Sequence, residues 1–96
     1  MKATSRRPGR IGEMIRMAIS EVVLRNLRDP RIGLVTITDV KMTLDLKKAK
    51  VFVSVLGDLE DRGQTLEGLN QAASHIRHQI SSLLRLRITP ELDFQY

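Results

Sequence analysis

The chain has no cysteine, no tryptophan and only three aromatic residues, Phe52, Phe94 and Tyr96, among its 96 positions. Without cysteine there is no disulfide framework and no thiolate metal site, which fits a reducing compartment. Without more rings the core must be filled by Ile, Val, Leu, Met and Ala. The same shortage speaks against a platform of exposed rings for stacking unpaired bases. No apolar run is long enough to span a bilayer, so no membrane partner is expected. Behind the charged start "MKATSRRPGR" there is no apolar stretch of the kind a secretory signal carries. A chain of 96 residues holds one modest core and not two.

What is plentiful is positive charge. Sixteen Lys and Arg face eleven Asp and Glu, for a formal charge of +5 and a pI near 10.2, a balance that favours a polyanionic partner such as nucleic acid. Arg6, Arg7 and Arg10 sit in an N-terminal stretch, residues 1–10, that reads as a flexible basic arm. From Ile11 the apolar residues Ile11, Met14, Ile15, Ala18, Ile19 and Val22 follow the three-and-four spacing of one helical face, and Asp29-Pro30 ends the pattern. "RIGLVTITDV" is rich in β-branched residues and predicts a strand, "KMTLDLKK" a turn, and "AKVFVSVL" a second strand antiparallel to the first. Val51, Val53 and Val55 share one face of that second strand.

"GDLEDRGQ" is acidic and flanked by glycine, and reads as a loop turned away from any nucleic acid. Thr65 is then the expected N-cap of a long helix, with Glu67 in its first turn. Leu66, Leu69, Ala73, Ile76, Ile80 and Leu83 keep helical spacing, so one face should be buried along the whole length. Pro90 breaks the pattern before a short last strand, Leu92 to Tyr96. Helix, strand, strand, helix, strand gives an α+β domain with helices packed on a three-stranded sheet.

Residues that could carry chemistry are few. His75 and His78 are three apart but lack a third ligand at a useful spacing, and Asp58, Glu60 and Asp61 lack a calcium-loop pattern, so neither a metal nor another cofactor is expected. No Walker-type loop or nucleophile elbow occurs, which disfavours an enzyme. The basic residues are better placed. On a helical projection Ser74, His78, Ser81 and Arg85 form one stripe with Arg77 on its flank, and no carboxylate lies among them. Such a stripe suits phosphate and ribose contacts. Lys47, Lys48 and Lys50 make a second group at the hairpin, and Arg31 is a candidate for RNA contact or an ion pair.

Four segments carry a resemblance: "DPRIG" after the first helix, "TLDLKKAKVFVSV" through the hairpin, "AASHIR" in the long helix and "RLRITPELDF" near the end. In this order and spacing they resemble the ribosome-binding factor A family, bacterial assembly factors for the small ribosomal subunit. The resemblance implies a KH-like fold of the second type, helix-strand-strand-helix-helix-strand, over residues 11–96. It implies that the helices pack on one face of the sheet, and that the long helix is two helices meeting at a kink. Family members carry alanine, any residue and glycine at that kink. Here the matching positions are Ala72, Ala73 and Ser74, with serine in place of glycine. The literal GxxG at Gly9 to Gly12 precedes the first helix and is not the phosphate-cradling loop of a KH domain.

The functional expectation is a non-enzymatic RNA-binding factor for late maturation of the small subunit, with a part in cold adaptation. Its expected partners are the subunit, its ribosomal RNA and a maturation GTPase, and it is expected to be a cytoplasmic monomer. The rival expectation is a general nucleic-acid-binding or ribosome-hibernation protein without an assembly role.

Overall fold

Pro8 is the first residue of helix α1 (Pro8–Asn26) in the computed structural model, which describes residues 8–26, 32 and 35–96. A proline suits that position, because its φ is preset for the helix and its missing N–H would have had no partner there. The helix therefore starts before the expected Ile11, and Arg10 belongs to it and not to an arm. Ile15, Ala18, Ile19 and Val22 are buried as their spacing requires, while Met14, at the margin of the stripe, is 41% exposed. Gly12 is also buried, for a different reason. A Cβ there would lie 2.8 Å from the carbonyl oxygen of Val40, so α1 approaches the sheet closely enough to admit only glycine.

That sheet holds β1 (Val35–Met42), β2 (Lys48–Val55) and β3 (Glu91–Gln95), in the order β1-β2-β3. β1 and β2 are antiparallel, with Val40 opposite Val51 and Lys41 opposite Lys50. The turn is shorter than the eight residues "KMTLDLKK", since Lys41 and Met42 finish β1 and Lys48 opens β2. A register shift between Ile37 and Asp39 marks a bulge in β1. Beside it the Val40 amide donates to Asp39 Oδ1 at 2.8 Å. β3 runs parallel to β2, with Phe94 beside Val51, and a parallel neighbour requires a crossover. The crossover is α2 (Leu59–Gln71) followed by α3 (Ala73–Leu84).

α2 corrects the reading of "GDLEDRGQ" as a loop and of Thr65 as a cap. Asp58 is the N-cap: its side chain accepts from the Asp61 amide at 2.9 Å, and the Asp61 side chain accepts from the Asp58 amide at 3.2 Å. This reciprocal pair satisfies two otherwise orphaned amides and starts the helix in a polar segment. Gly57 enters the cap at φ 133, a conformation closed to most side chains, and a Cβ there would collide with Asp61. Thr65 instead lies inside α2 and is buried.

The break between the helices falls at Ala72, with φ −89 and ψ 2, while Ala73 and Ser74 already belong to α3. Helical bonding bridges the break. The Ala72 amide donates to Gly68 O at 3.0 Å and Leu69 O at 3.1 Å, and Ile76 donates to Ala72 O at 2.9 Å. Ala72 and Ala73 are half-buried against the core, where a larger side chain would crowd the joint. The inner face of the sheet, with Ile37, Val40, Ala49, Val51, Val53, Val55 and Phe94, packs on Ile15, Ile19, Val22, Leu69, Ile76 and Ile80. Leu83 does not join them and is 57% exposed; Leu84, one turn after Ile80, packs against the core in its place at the end of α3.

Candidate nucleic-acid interface

α3 turns Ile76 and Ile80 into the core, and its helical period then leaves Ser74, Arg77 and His78 exposed on the outside, with Ser81 half-buried beside them. These four and Thr89 line an open depression of ≈ 410 Å³, and no carboxylate is among its described lining residues. Arg77 is not a free surface arginine. Its Nε donates to Thr89 O at 3.2 Å and Pro90 O at 3.1 Å, and its Nη2 donates to Thr89 O at 2.8 Å. Thr89 Oγ1 meets Ser81 Oγ at 3.0 Å. The segment leading into β3 is thus fastened to α3 at two points. Sequence spacing placed Arg77 on the flank of a stripe but carried no sign of this tether, since its partners are backbone carbonyls more than a helix turn away in sequence. Arg85, the last member of the stripe, is the exposed C-cap of α3 at φ 53 and lies outside the depression.

The expected group of three hairpin lysines is divided. The turn from Thr43 to Lys48 is held by the Thr43 amide on Lys48 O, the Leu46 amide on Thr43 O, and Asp45 Oδ1, which accepts from Thr43 Oγ1 at 2.6 Å and from the Lys47 amide at 3.0 Å. Those bonds, the Thr43 hydroxyl foremost and then the Lys47 amide, hold the Asp45 carboxyl below its ordinary value. Lys47 stands at the sheet end where its carbonyl accepts from the Glu91 amide at 2.8 Å, next to the residues that Arg77 holds. Lys48 and Lys50 alternate with the buried Ala49 and Val51, so they belong to the open face of the sheet. There Lys48 pairs in register with Glu91 and Lys50 with Asp93, while Lys41 lies 3.6 Å from Asp39. A wide depression on that face, ≈ 590 Å³, is lined by lysines and acids together.

Arg10 is exposed on α1. Arg6, Arg7 and Arg31 lie outside the described residues. The three rings form no stacking platform: Phe94 is buried, Phe52 is half-buried, and Tyr96 lies under the Arg62 guanidinium, 4.4 Å from the ring centroid.

Sequence reasoning passed over Asn70. Its Oδ1 accepts from the Phe94 amide at 2.9 Å and its Nδ2 donates to the Phe94 carbonyl at 3.2 Å. The side-chain amide thus takes the place of a further strand beside β3. An asparagine within a helix, where it is a poor former, was the available signal.

Residues 7–96 match the family model described as Ribosome-binding factor A. A ribosome-binding factor A from Halothermothrix orenii is 46% identical over 90 residues, which is 94% of this chain and 74% of that protein. Among solved structures, a candidate ribosome binding factor A from Thermotoga maritima superposes with a TM-score of 0.79 at 38% identity, over 88% of this chain and 81% of its own. The Thermus thermophilus ribosome-binding factor A crystal structure gives 0.78 at 24% identity, over 92% and 93%. A homology model of the Thermus thermophilus factor fitted into a cryo-EM map of its 30S complex gives 0.75 at 24% identity, over 91% of each chain.

Proposed function

The chain belongs to the ribosome-binding factor A family, and on that premise we propose that it binds the small ribosomal subunit through ribosomal RNA and assists the late folding of that RNA. The observation that carries the proposal is the outer face of α3. Arg77, His78, Ser74 and Ser81 gather there with no carboxylate among the described lining residues, in a protein of net charge +5. Donors and cations without acids suit the phosphate-and-sugar side of an RNA, and the absence of a ring platform suits a shape-read duplex or its margin better than splayed bases.

Lys47, at the sheet end beside Glu91, Arg85, at the C-cap of α3, and Arg10 on α1 belong to the same proposed set. Arg6, Arg7 and Arg31 complete the proposed set from outside the described residues. Lys48 and Lys50 contribute less, because acids on β3 stand beside them. A non-enzymatic role, a monomer in the cytoplasm and a maturation GTPase as a further partner belong to the same proposal.

Sedimentation of cell extract tests it. An assembly factor follows free small subunits, and its loss leaves small-subunit RNA precursors behind. Migration with whole ribosomes would favour hibernation instead, and migration with neither would leave a general nucleic-acid binder.

A further inference from the structure

Arg77 offers five N–H donors, and the structure shows how they are spent. The Nε proton is shared between the carbonyls of Thr89 and Pro90, and one Nη2 proton goes to Thr89 O. Nη1 makes no hydrogen bond among the described residues. Both anchors are neutral, so they fix the guanidinium without cancelling its charge. They occupy its Nε–Nη2 edge and leave the Nη1–Nη2 end without a partner among the described residues. A cation held this way has already given up its rotamer freedom, which lowers the cost of binding.

The groups around it point to the same chemistry. Ser81 and Thr89 share one hydroxyl proton between them, so the second is free to donate to something else. Ser74 and His78 stand one turn apart on the same face, and their exposed side chains have no hydrogen-bond partner among the described residues. With no carboxylate among the described residues that line the depression, a tetrahedral oxyanion is the complement of this set.

We propose that the depression between α3 and the Thr89–Pro90 segment is a preformed seat for a single phosphate group, filled by an RNA phosphodiester. The assignment rests on the ribosomal-RNA reading of the chain. The seat also has a mechanical consequence. The guanidinium that meets the phosphate is the one that ties residues 89 and 90 to α3, so occupancy stiffens the connection into β3.

The test uses the whole chain labelled for NMR, titrated with a hairpin of small-subunit ribosomal RNA and separately with inorganic phosphate. RNA should shift the Arg77 Nε–Hε signal and the signals of Ser74, His78, Ser81 and Thr89, and should slow amide exchange at 86–91. Arg77→Lys keeps the charge but loses the planar fork, and should weaken RNA binding about tenfold or more, the worth of a charged hydrogen bond.

Ser74→Asp places a carboxylate in the seat without touching a fold contact, and should weaken RNA binding similarly while the melting temperature holds. If RNA binds with unchanged affinity to both variants and leaves these signals still, the seat is overturned and the ribosomal-RNA reading survives. If wild-type protein binds no RNA, that reading itself falls. If inorganic phosphate shifts the signals and RNA does not, the assignment to a phosphodiester is overturned in favour of a small phosphate ligand.

Discussion

The outer face of α3 and the open face of the sheet both carry cations, yet they differ in what stands next to each one. On α3, Arg77 is held by two neutral carbonyls, and hydroxyls and an imidazole surround it. On the sheet, Lys48 and Lys50 stand in register with Glu91 and Asp93, and Lys41 lies 3.6 Å from Asp39. A phosphate approaching the first meets a guanidinium and hydroxyls, with no carboxylate among the described lining residues. Approaching the second, it meets carboxylates and lysines lining the same depression, and the two contributions offset within a Debye length of about 8 Å at physiological salt. Counting basic residues cannot separate the two faces, because the neighbours decide how much of each charge a polyanion feels.

The largest effect that would break this contrast is at Arg77. Arg77→Ala should weaken binding to small-subunit RNA about tenfold or more and also lower stability by about 1–2 kcal/mol, since it removes charged hydrogen bonds from both roles. Lys50→Ala should do neither, and filter binding with a denaturant melt on both variants makes the comparison direct. Equal losses of RNA affinity at the two positions would erase the difference between the faces.

Asn70→Leu separates fold from binding. It leaves the Phe94 amide and carbonyl without their side-chain partner and should cost about 1–3 kcal/mol in denaturant unfolding. Affinity for RNA in the folded protein should stay the same.

Converting the sheet face is the converse experiment. Glu91→Gln together with Asp93→Asn removes the acids beside Lys48 and Lys50, and the slope of log affinity against log salt should steepen by about 1–2 as those lysines become available to phosphate. An unchanged slope would mean that the acids were not what silenced this face.

A smaller effect is expected at Arg85. Its left-handed conformation costs a residue with a Cβ about 1–2 kcal/mol, and glycine is the usual occupant of such a cap. Arg85→Gly should therefore raise the melting temperature while reducing RNA affinity, two changes of opposite sign that a purely structural residue would not produce.

The smallest is a pH effect at the hairpin. The Asp45 carboxyl is held below its ordinary value of 3.8 by Thr43 and the Lys47 amide. A depressed folded value contributes stability that is complete above the ordinary value and is lost as pH falls through the lowered one. The Lys47 amide should lose exchange protection over that acid window, and Asp45→Asn should abolish the dependence.

Much of this architecture was legible residue by residue. The spacing of Ile15, Ile19 and Val22 placed the buried face of α1, and the alternation of Val51, Val53 and Val55 placed that of β2, because burial follows periods of 3.6 and 2. The segment 57–64 reads as a loop for a definite reason: a helix that exposes most of its first two turns has a loop's composition, and its start is marked only by the Asp58–Asp61 pair. Gly12 shows no local sign of its role, because its reason for being glycine, the carbonyl of Val40, lies in another element.

By itself, then, the sequence determined the net charge, the shortage of rings, the faces of α1 and β2 and the carboxylate-free stripe on α3, all of which depend on neighbours within a few residues. Tertiary structure alone decided that β3 lies parallel to β2, that Asn70 closes its edge, that Lys48 and Lys50 stand beside acids, and that Arg77 is fixed by Thr89 and Pro90. Each of these joins residues at least 12 positions apart, and it is the crossover through α2 and α3 that brings them into contact.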